Sequence, residues 1–198
     1  MTLDQFRPHV KVYFDPLVSV AMRLGLTPNT FTLAAFLASA AAGLLFYLRL
    51  EVWAIVAVAL NAFCDAMDGA IAREQKIQSR RGDFLDHAVD RYADIFIITG
   101  IFAGGIVPWQ IGVFALTGVL MASYLGTQAQ AVGVGRYYGG VLGRADRLVL
   151  ILIVGIVALL FPVTIYGLTW LGWLLLLFGI FGHVTAFQRF AYVWRKVE

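Results

Sequence analysis

A single cysteine, Cys64, occurs in 198 residues, so the chain can form neither an intrachain disulfide nor a cysteine-rich metal centre. In apolar surroundings a lone cysteine reads as a small buried apolar residue. Histidine is nearly as scarce: His9, His87 and His183 are scattered, and only His87 lies near other side chains that could ligate a metal. Charged residues make up 14% of the chain against 61% hydrophobic, well below the roughly 25% charge of soluble domains. The two-residue alternation that a closed transmembrane barrel needs is missing, which leaves helices. There is no internal repeat, low-complexity tract or linker, so 1–198 reads as one domain. The first 25 residues lack a basic start followed by a compact apolar core, and a cleaved signal is therefore not expected.

What the chain has in abundance is apolar sequence in long runs. Six segments are apolar enough in their cores to cross a bilayer, at 31–48, 52–67, 93–107, 111–125, 148–161 and 165–181, given that a span takes about 20 helical residues. Ahead of them Phe6, Val10, Tyr13, Phe14, Leu17, Ala21 and Leu24 recur at three- and four-residue intervals, with Arg7, Lys11, Asp15 and Arg23 between. That pattern predicts a helix lying in the membrane interface, kinked at Pro16 and ended by Gly25. The expected fold is thus all-α and integral to the membrane: an interfacial helix over 1–25, then a six-helix bundle over 26–198. With the N-terminus cytoplasmic, 14 of the 15 Lys and Arg residues fall on or near the cytoplasmic side and only Arg49 faces out, in line with the positive-inside rule. Both termini are then cytoplasmic in a multi-pass protein of the cell membrane. The net charge of +3 reads as topology and attraction to anionic lipid head groups, not as a nucleic-acid surface.

Against this background one stretch stands out. Residues 65–90, DAMDGAIAREQKIQSRRGDFLDHAVD, carry five aspartates beside apolar segments. On a helix Asp65 and Asp68 project about 60° apart and Asp86 and Asp90 about 40° apart, so each pair lines one face. Asp83, next to Gly82, reads as an exposed residue at a helix start, where a carboxylate suits the dipole. His87, about 100° around from Asp86, reads as turned away from the cluster. An ionised carboxylate near hydrocarbon costs about 3 kcal/mol on insertion scales, and four together repel one another. Two facing pairs would make a four-carboxylate cage that only cations can neutralise. Hard oxygen ligands select Mg²⁺, Mn²⁺ or Ca²⁺ over zinc or copper, and four carboxylates can hold two such ions, as in two-metal phosphoryl transfer. Pairing with Arg73, Arg80, Arg81 or Arg91 would explain any single aspartate. It does not explain an ordered set that reads D-x-x-D-G-x-x-A-R, eight residues, then G-x-x-x-D-x-x-x-D, with Asp65, Asp68, Gly69, Ala72, Arg73, Gly82, Asp86 and Asp90 filling every fixed position.

That pattern resembles the signature of the CDP-alcohol phosphotransferases, membrane enzymes that join a CDP-activated lipid or alcohol to a second alcohol and release CMP. The PNTFT segment at 28–32 and the six apolar segments resemble the family as well. The resemblance implies a divalent-metal site with two ions, Mg²⁺ or Mn²⁺, held by Asp65, Asp68, Asp86 and Asp90, with Asp90 also the base that takes the acceptor's proton. It implies that Asn29, Thr32, Asp68, Gly69, Ala72, Arg73, Ser79 and Gly82 hold the CDP-lipid, and that the protein is a homodimer. A missing side chain at Gly69 lets a nucleotide approach the helix closely, and Arg73 offers a fork of donors to a diphosphate.

The acceptor is expected around 123–148. There GRADRL resembles GRAERL of the branch that makes phosphatidylinositol phosphate, or its archaeal ether-lipid counterpart, from inositol phosphate. Arg144 and Arg147, with Arg136, are the candidate acceptor-binding residues. That branch usually carries Lys-x-Arg after a Ser-Tyr pair, and here Gly126 and Gln128 stand in those places. Either Arg136, Arg189 or Arg195 compensates, or the acceptor is less charged: glycerol, serine or free inositol. Glycerol phosphate is a further candidate. Two other classes of function are open at this point, a divalent-cation transporter and a membrane scaffold. A transporter would spread its acids along a path, and a scaffold would not need the Gly, Ala and Arg positions.

Overall fold

The computed structural model describes residues 7–75, 79–137 and 139–197, with side chains from Phe14 onward. These residues form seven helices: α1 (Arg7–Arg23), α2 (Pro28–Tyr47), α3 (Glu51–Glu74), α4 (Arg80–Ala103), α5 (Trp109–Ala131), α6 (Arg144–Leu160) and α7 (Trp170–Trp194). Among the described residues there is no strand, only an isolated bridge between Ile165 and Leu168. The chain is all-α, as its apolar segments predict. Helix starts have local causes. Thr27 caps α2 by accepting from the Thr30 N–H, and Pro28 follows in the first turn, where its missing donor is not needed. Ser79 caps α4 and Thr169 caps α7 in the same way.

Helix α2 packs against both α3 and α4, α5 packs along α7, and α6 touches α3 on one side and α7 on the other. Glycines set these close approaches. Gly100 lies against the Gly43 carbonyl, and a Cβ on Gly182 would sit 2.6 Å from the Gly118 carbonyl carbon, the small-residue packing that lets membrane helices touch by their backbones. Phe46, Val58, Ile97, Ile101, Val119, Leu175 and Phe178 fill the centre. Leu33, Leu37, Val56, Leu60, Ile153 and Leu177 are exposed around the girth, where hydrocarbon takes the place of water. The chain is a membrane protein: α2, α3, α5 and α7 are each long and apolar enough to cross a bilayer. Helix α4 carries its charges between Arg80 and Asp94, and α6 has 17 residues.

The two ends of the bundle differ. At one end Arg49 pairs with Glu51 at 3.2 Å and donates to the Gly104 carbonyl, tying two tight turns together. At the other end lie the aspartates, the starts of α2, α4 and α6, and the loop between α5 and α6.

Several boundaries differ from expectation. The last apolar segment does not enter its helix at Ile165, because residues 165–168 close a turn in which Tyr166 and Gly167 have φ of 50° and 78°; α7 starts at Trp170 and runs well past Phe181. Helix α1 includes Pro16, and it ends at Arg23 with Gly25 at φ 70° turning the chain, as expected of that glycine. Its apolar stripe is split. Ala21 packs with Val18 on Met67 and Ile71, while Leu17 and Leu24 are exposed. Phe6 lies outside the described residues, as do the side chains of Arg7, His9, Val10, Lys11 and Tyr13.

Candidate active site

Helices α3 and α4 bring the four aspartates together at the charged end. One carboxylate oxygen from each of Asp65, Asp68 and Asp86 lies within 4.8 Å of the others, and ligand atoms of Asp86, His87 and Asp90 form a second such group. Asp86 is shared, so the two groups are one cluster. Asp68 is buried and accepts a hydrogen bond from Thr32 Oγ1 at 2.8 Å, which fixes the α2 start against α3. His87 corrects the sequence expectation. It faces the cluster, 3.1 Å from Asp83 and 4.0 Å from Asp90, because the carboxylates surround the first turns of α4 on more than one face.

The cluster holds a positive charge already. Arg144 Nη1, from the first residue of α6, lies 2.5 Å from Asp65 Oδ1 and 2.9 Å from Asp90 Oδ1. Arg91 Nη2 lies 3.4 Å from Asp90 Oδ2. Asp86, His87 and Asp90 precede the apolar stretch of α4 that begins at Ala93. Burial, reinforced by Asp65, raises the Asp86 carboxyl above its usual range. Burial also raises Asp90, with Arg144 opposing and Asp65 and Asp86 adding to the rise. His87 is lowered by burial and by the charge of Arg136. A set of hard oxygen donors crowded enough to resist ionisation, and closed by a guanidinium, fits a divalent cation.

A cavity of about 800 Å³ opens over this cluster. Its lining includes Asp65, Asp68, Gly69, Arg73, Asp86 and Asp90 from α3 and α4, here called the acidic wall, and Arg136, Arg144, Arg147 and Arg189 from later in the chain, here called the arginine wall. Arg73 lies over Gly69, where an added Cβ would come within 3.1 Å of its Nη1. Of the remaining residues expected at the CDP-lipid, Thr32 sits behind Asp68, whereas Asn29, Ala72, Ser79 and Gly82 do not line the cavity. Asn29 and Ser79 are exposed at helix starts, and Ser79 Oγ accepts the Gly82 N–H at 3.0 Å.

The arginine wall is assembled from distant parts of the chain. Asp146 caps α6 by accepting from the Gly143 N–H at 2.9 Å, presenting Arg144 and Arg147 one turn apart. Arg147 donates to Asp94 at 2.7 Å, both side chains being buried. Arg136 pairs with Asp83 at 3.2 Å. Arg189, from α7, donates to the Ala122 carbonyl at 2.6 Å and to the Gly139 carbonyl at 2.8 Å. It occupies the space beside Gly126, where a Cβ would collide with its Nη1. Of the three arginines considered as compensating cations, Arg136 and Arg189 reach the cavity, and Arg195 lies elsewhere, near Tyr192 and Lys196. Sequence reasoning missed Asp94 and the facing His87, and named Arg91 only as a pairing partner of the aspartates, the contact it makes with Asp90. The four-residue spacing of Asp86, Asp90 and Asp94 was the available signal for Asp94.

Comparisons with known proteins identify the family. The family model for CDP-alcohol phosphatidyltransferase matches residues 25–182. The chain is 37% identical over 151 residues to the archaetidylinositol phosphate synthase of Pyrococcus horikoshii, covering 76% of this chain and 80% of that protein. It is 32% identical over 196 residues to that of Methanothermobacter thermautotrophicus, covering 99% and 96%. Its fold matches crystal structures of phosphatidylinositol phosphate synthase from Mycobacterium tuberculosis, one with CDP-DAG bound and one with manganese and citrate. In each case the TM-score is 0.76 and the identity 28%, over 90% of this chain and 92% or 88% of the other. Transporter and scaffold readings fall away, since a buried acidic cluster facing an arginine wall and a match across most of the chain point the same way: this protein is an enzyme of the CDP-alcohol phosphatidyltransferase family.

Proposed function

We propose that the protein is a divalent-metal-dependent phospholipid synthase that transfers the phosphatidyl or archaetidyl group of a CDP-lipid to a hydroxyl of inositol phosphate, releasing CMP. The observation that carries this reading is that one cavity is lined both by the clustered aspartates of α3 and α4 and by Arg136, Arg144, Arg147 and Arg189. Metal-bound diphosphate suits the first, and an anionic acceptor suits the second. The related synthases named above support the choice of acceptor over glycerol phosphate, glycerol, inositol or serine.

In this reading Asp65, Asp68, Asp86 and Asp90 hold two ions, Mg²⁺ or Mn²⁺. When bound, they supply positive charge to the diphosphate and to the departing CMP. Arg73, lying over Gly69, donates to the diphosphate, and the exposed starts of α2 and α4, with Asn29, Thr32, Ala72, Ser79 and Gly82, border the nucleotide. Asp90 takes the proton of the acceptor hydroxyl as its oxygen bonds to the β-phosphorus. The bond from that phosphorus to the bridging oxygen breaks, and CMP leaves with the electron pair. Arg144, Arg147 and Arg136 orient the acceptor's phosphate, with Arg189 beside them.

The same reading takes 1–198 as one domain with six spans, α2 to α7, and α1 at the interface. The active site and both termini face the cytoplasm, and the enzyme works as a homodimer. The lipid tail stays in the bilayer while its head group reaches the cavity from the charged end. The test is an acceptor screen with purified enzyme and CDP-lipid, following CMP release and product mass. Inositol phosphate should give a lipid product of the matching mass. Product from glycerol, serine or free inositol alone would overturn the assignment of the arginine wall.

A further inference from the structure

Asp86, Asp90 and Asp94 recur every fourth residue along α4. The first two belong to the acidic cluster. Asp94, one turn deeper and 5% exposed, belongs to neither ligand group, and its Oδ2 accepts a hydrogen bond from Arg147 Nη2 at 2.7 Å. Arg147 is 6% exposed and lines the cavity, whereas Asp94 does not reach the lining. The Arg147 Nε has no partner among the described residues. One corner of the fork is therefore held from behind, and a buried donor is left unused on a residue of the cavity wall.

A buried ion pair is a poor device for stability, because desolvation offsets most of the attraction, and apolar side chains would join α4 to α6 as well. What the pair does supply is a fixed guanidinium. A long side chain without that anchor would turn toward Asp65 and Asp90, where Arg144 already sits. Charge argues in the same direction. Arg91, Arg144, Arg147 and Arg189 all line the cavity, and the field of Asp94 reaches Arg91 and Arg144 besides its direct partner. From behind the wall Asp94 offsets their mutual repulsion without taking up cavity space.

We propose that Asp94 is a positioning residue for the acceptor: it holds Arg147 so that the remaining donors of the fork meet the acceptor's anionic group. The proposal rests on the reading that the arginine wall binds the acceptor's phosphate. Asp94→Asn keeps the shape and removes the charge. With inositol phosphate as the varied substrate of the purified enzyme, its KM should rise about tenfold or more, the scale of a lost charge-assisted hydrogen bond. The CDP-lipid KM and kcat at saturating acceptor should change far less. Asp94→Glu, with the charge retained at the wrong length, should fold and give an intermediate acceptor KM. Combining Asp94→Asn with Arg147→Ala should be no worse for acceptor KM than Arg147→Ala alone, since the two act as a unit. An equal loss for both substrates, or a fall in kcat with acceptor KM unchanged, would assign Asp94 to folding and overturn the proposal. Arg147→Ala separates the two levels: if it leaves acceptor KM unchanged, the arginine-wall reading fails and takes the proposal with it. If it raises KM while Asp94→Asn does not, the positioning role alone fails.

Discussion

The two walls of the cavity are built in opposite ways. The acidic wall comes from two consecutive helices and one short run of sequence, residues 65–90, with side chains set on their faces by the helical repeat and then held by Thr32 on Asp68 and Arg144 on Asp65 and Asp90. The arginine wall draws on α6, α7 and the loop after α5, and its side chains are held by tertiary partners: Asp94 for Arg147, and the Ala122 and Gly139 carbonyls for Arg189. The first wall is fixed by spacing, the second by packing. Chemistry that must coordinate metals at set distances tolerates little variation, whereas a wall that only has to hold an anionic acceptor can reach the same charge by several routes.

The largest effect should come from breaking the acidic wall. Chelation with EDTA should abolish activity, and Mg²⁺ or Mn²⁺ should restore it, because the carboxylates repel one another unless cations intervene. Asp65→Asn and Asp68→Asn should each weaken metal binding and lower the rate. Burial raises Asp86 and pushes Asp90 up to about 8, so Asp90 in the metal-free cluster holds a proton near neutrality that a cation has to displace. Metal affinity should therefore increase with pH, and titration calorimetry in buffers of different ionisation enthalpy should detect proton release. Full activity in excess chelator would move the chemistry away from this wall.

Next in size is Asp90→Asn, which should lower single-turnover chemistry by roughly 10²- to 10⁴-fold, the usual contribution of a positioned base. CDP-lipid binding should survive. Acid quenching of enzyme mixed with labelled CDP-lipid alone should trap no protein-bound label, because the acceptor oxygen attacks phosphorus directly. A stoichiometric covalent adduct would mean that an aspartate is the nucleophile.

The contrast between the walls also explains what the sequence revealed. The all-helical membrane fold and the four aspartates were readable because apolar run length and helical spacing are local quantities. Helix ends were less so: Ile165 looked like the start of a span, but a backbone turn through Tyr166 and Gly167 delays α7 to Trp170. His87 was read as turned away from Asp86, an argument that assumes a site on one helix face, while the real cluster wraps around α4. Gly126 looked like a missing cation. In three dimensions its lack of a side chain makes room for Arg189, 63 positions along the chain from 126 to 189, and no local pattern reports that.

Gly126 therefore offers a smaller test of the second wall. Gly126→Ala should displace Arg189 from the Ala122 carbonyl and raise acceptor KM several-fold, about what one distorted charge-assisted hydrogen bond is worth. Metal dependence and CDP-lipid KM should stay close to those of the parent enzyme. If Gly126→Ala instead lowers metal affinity, the two walls are not separable.

The smallest effect is expected where the walls meet at the surface. Arg136, which lines the cavity, pairs with Asp83, but the Asp83 side chain is 60% exposed, so water and salt screen the attraction and the pair is worth about 1 kcal/mol at most. Asp83→Asn should leave the thermal midpoint within about 2 °C of the parent and change acceptor KM by less than about fivefold, with the difference fading at high salt. Arg136→Ala removes the same pair and also a cation of the cavity lining. If Arg136 contacts the acceptor's phosphate, its substitution should raise acceptor KM clearly more than Asp83→Asn does, and the excess should persist in salt. Equal, salt-sensitive effects from the two variants would confine Arg136 to the surface pair and leave the acceptor to Arg144, Arg147 and Arg189.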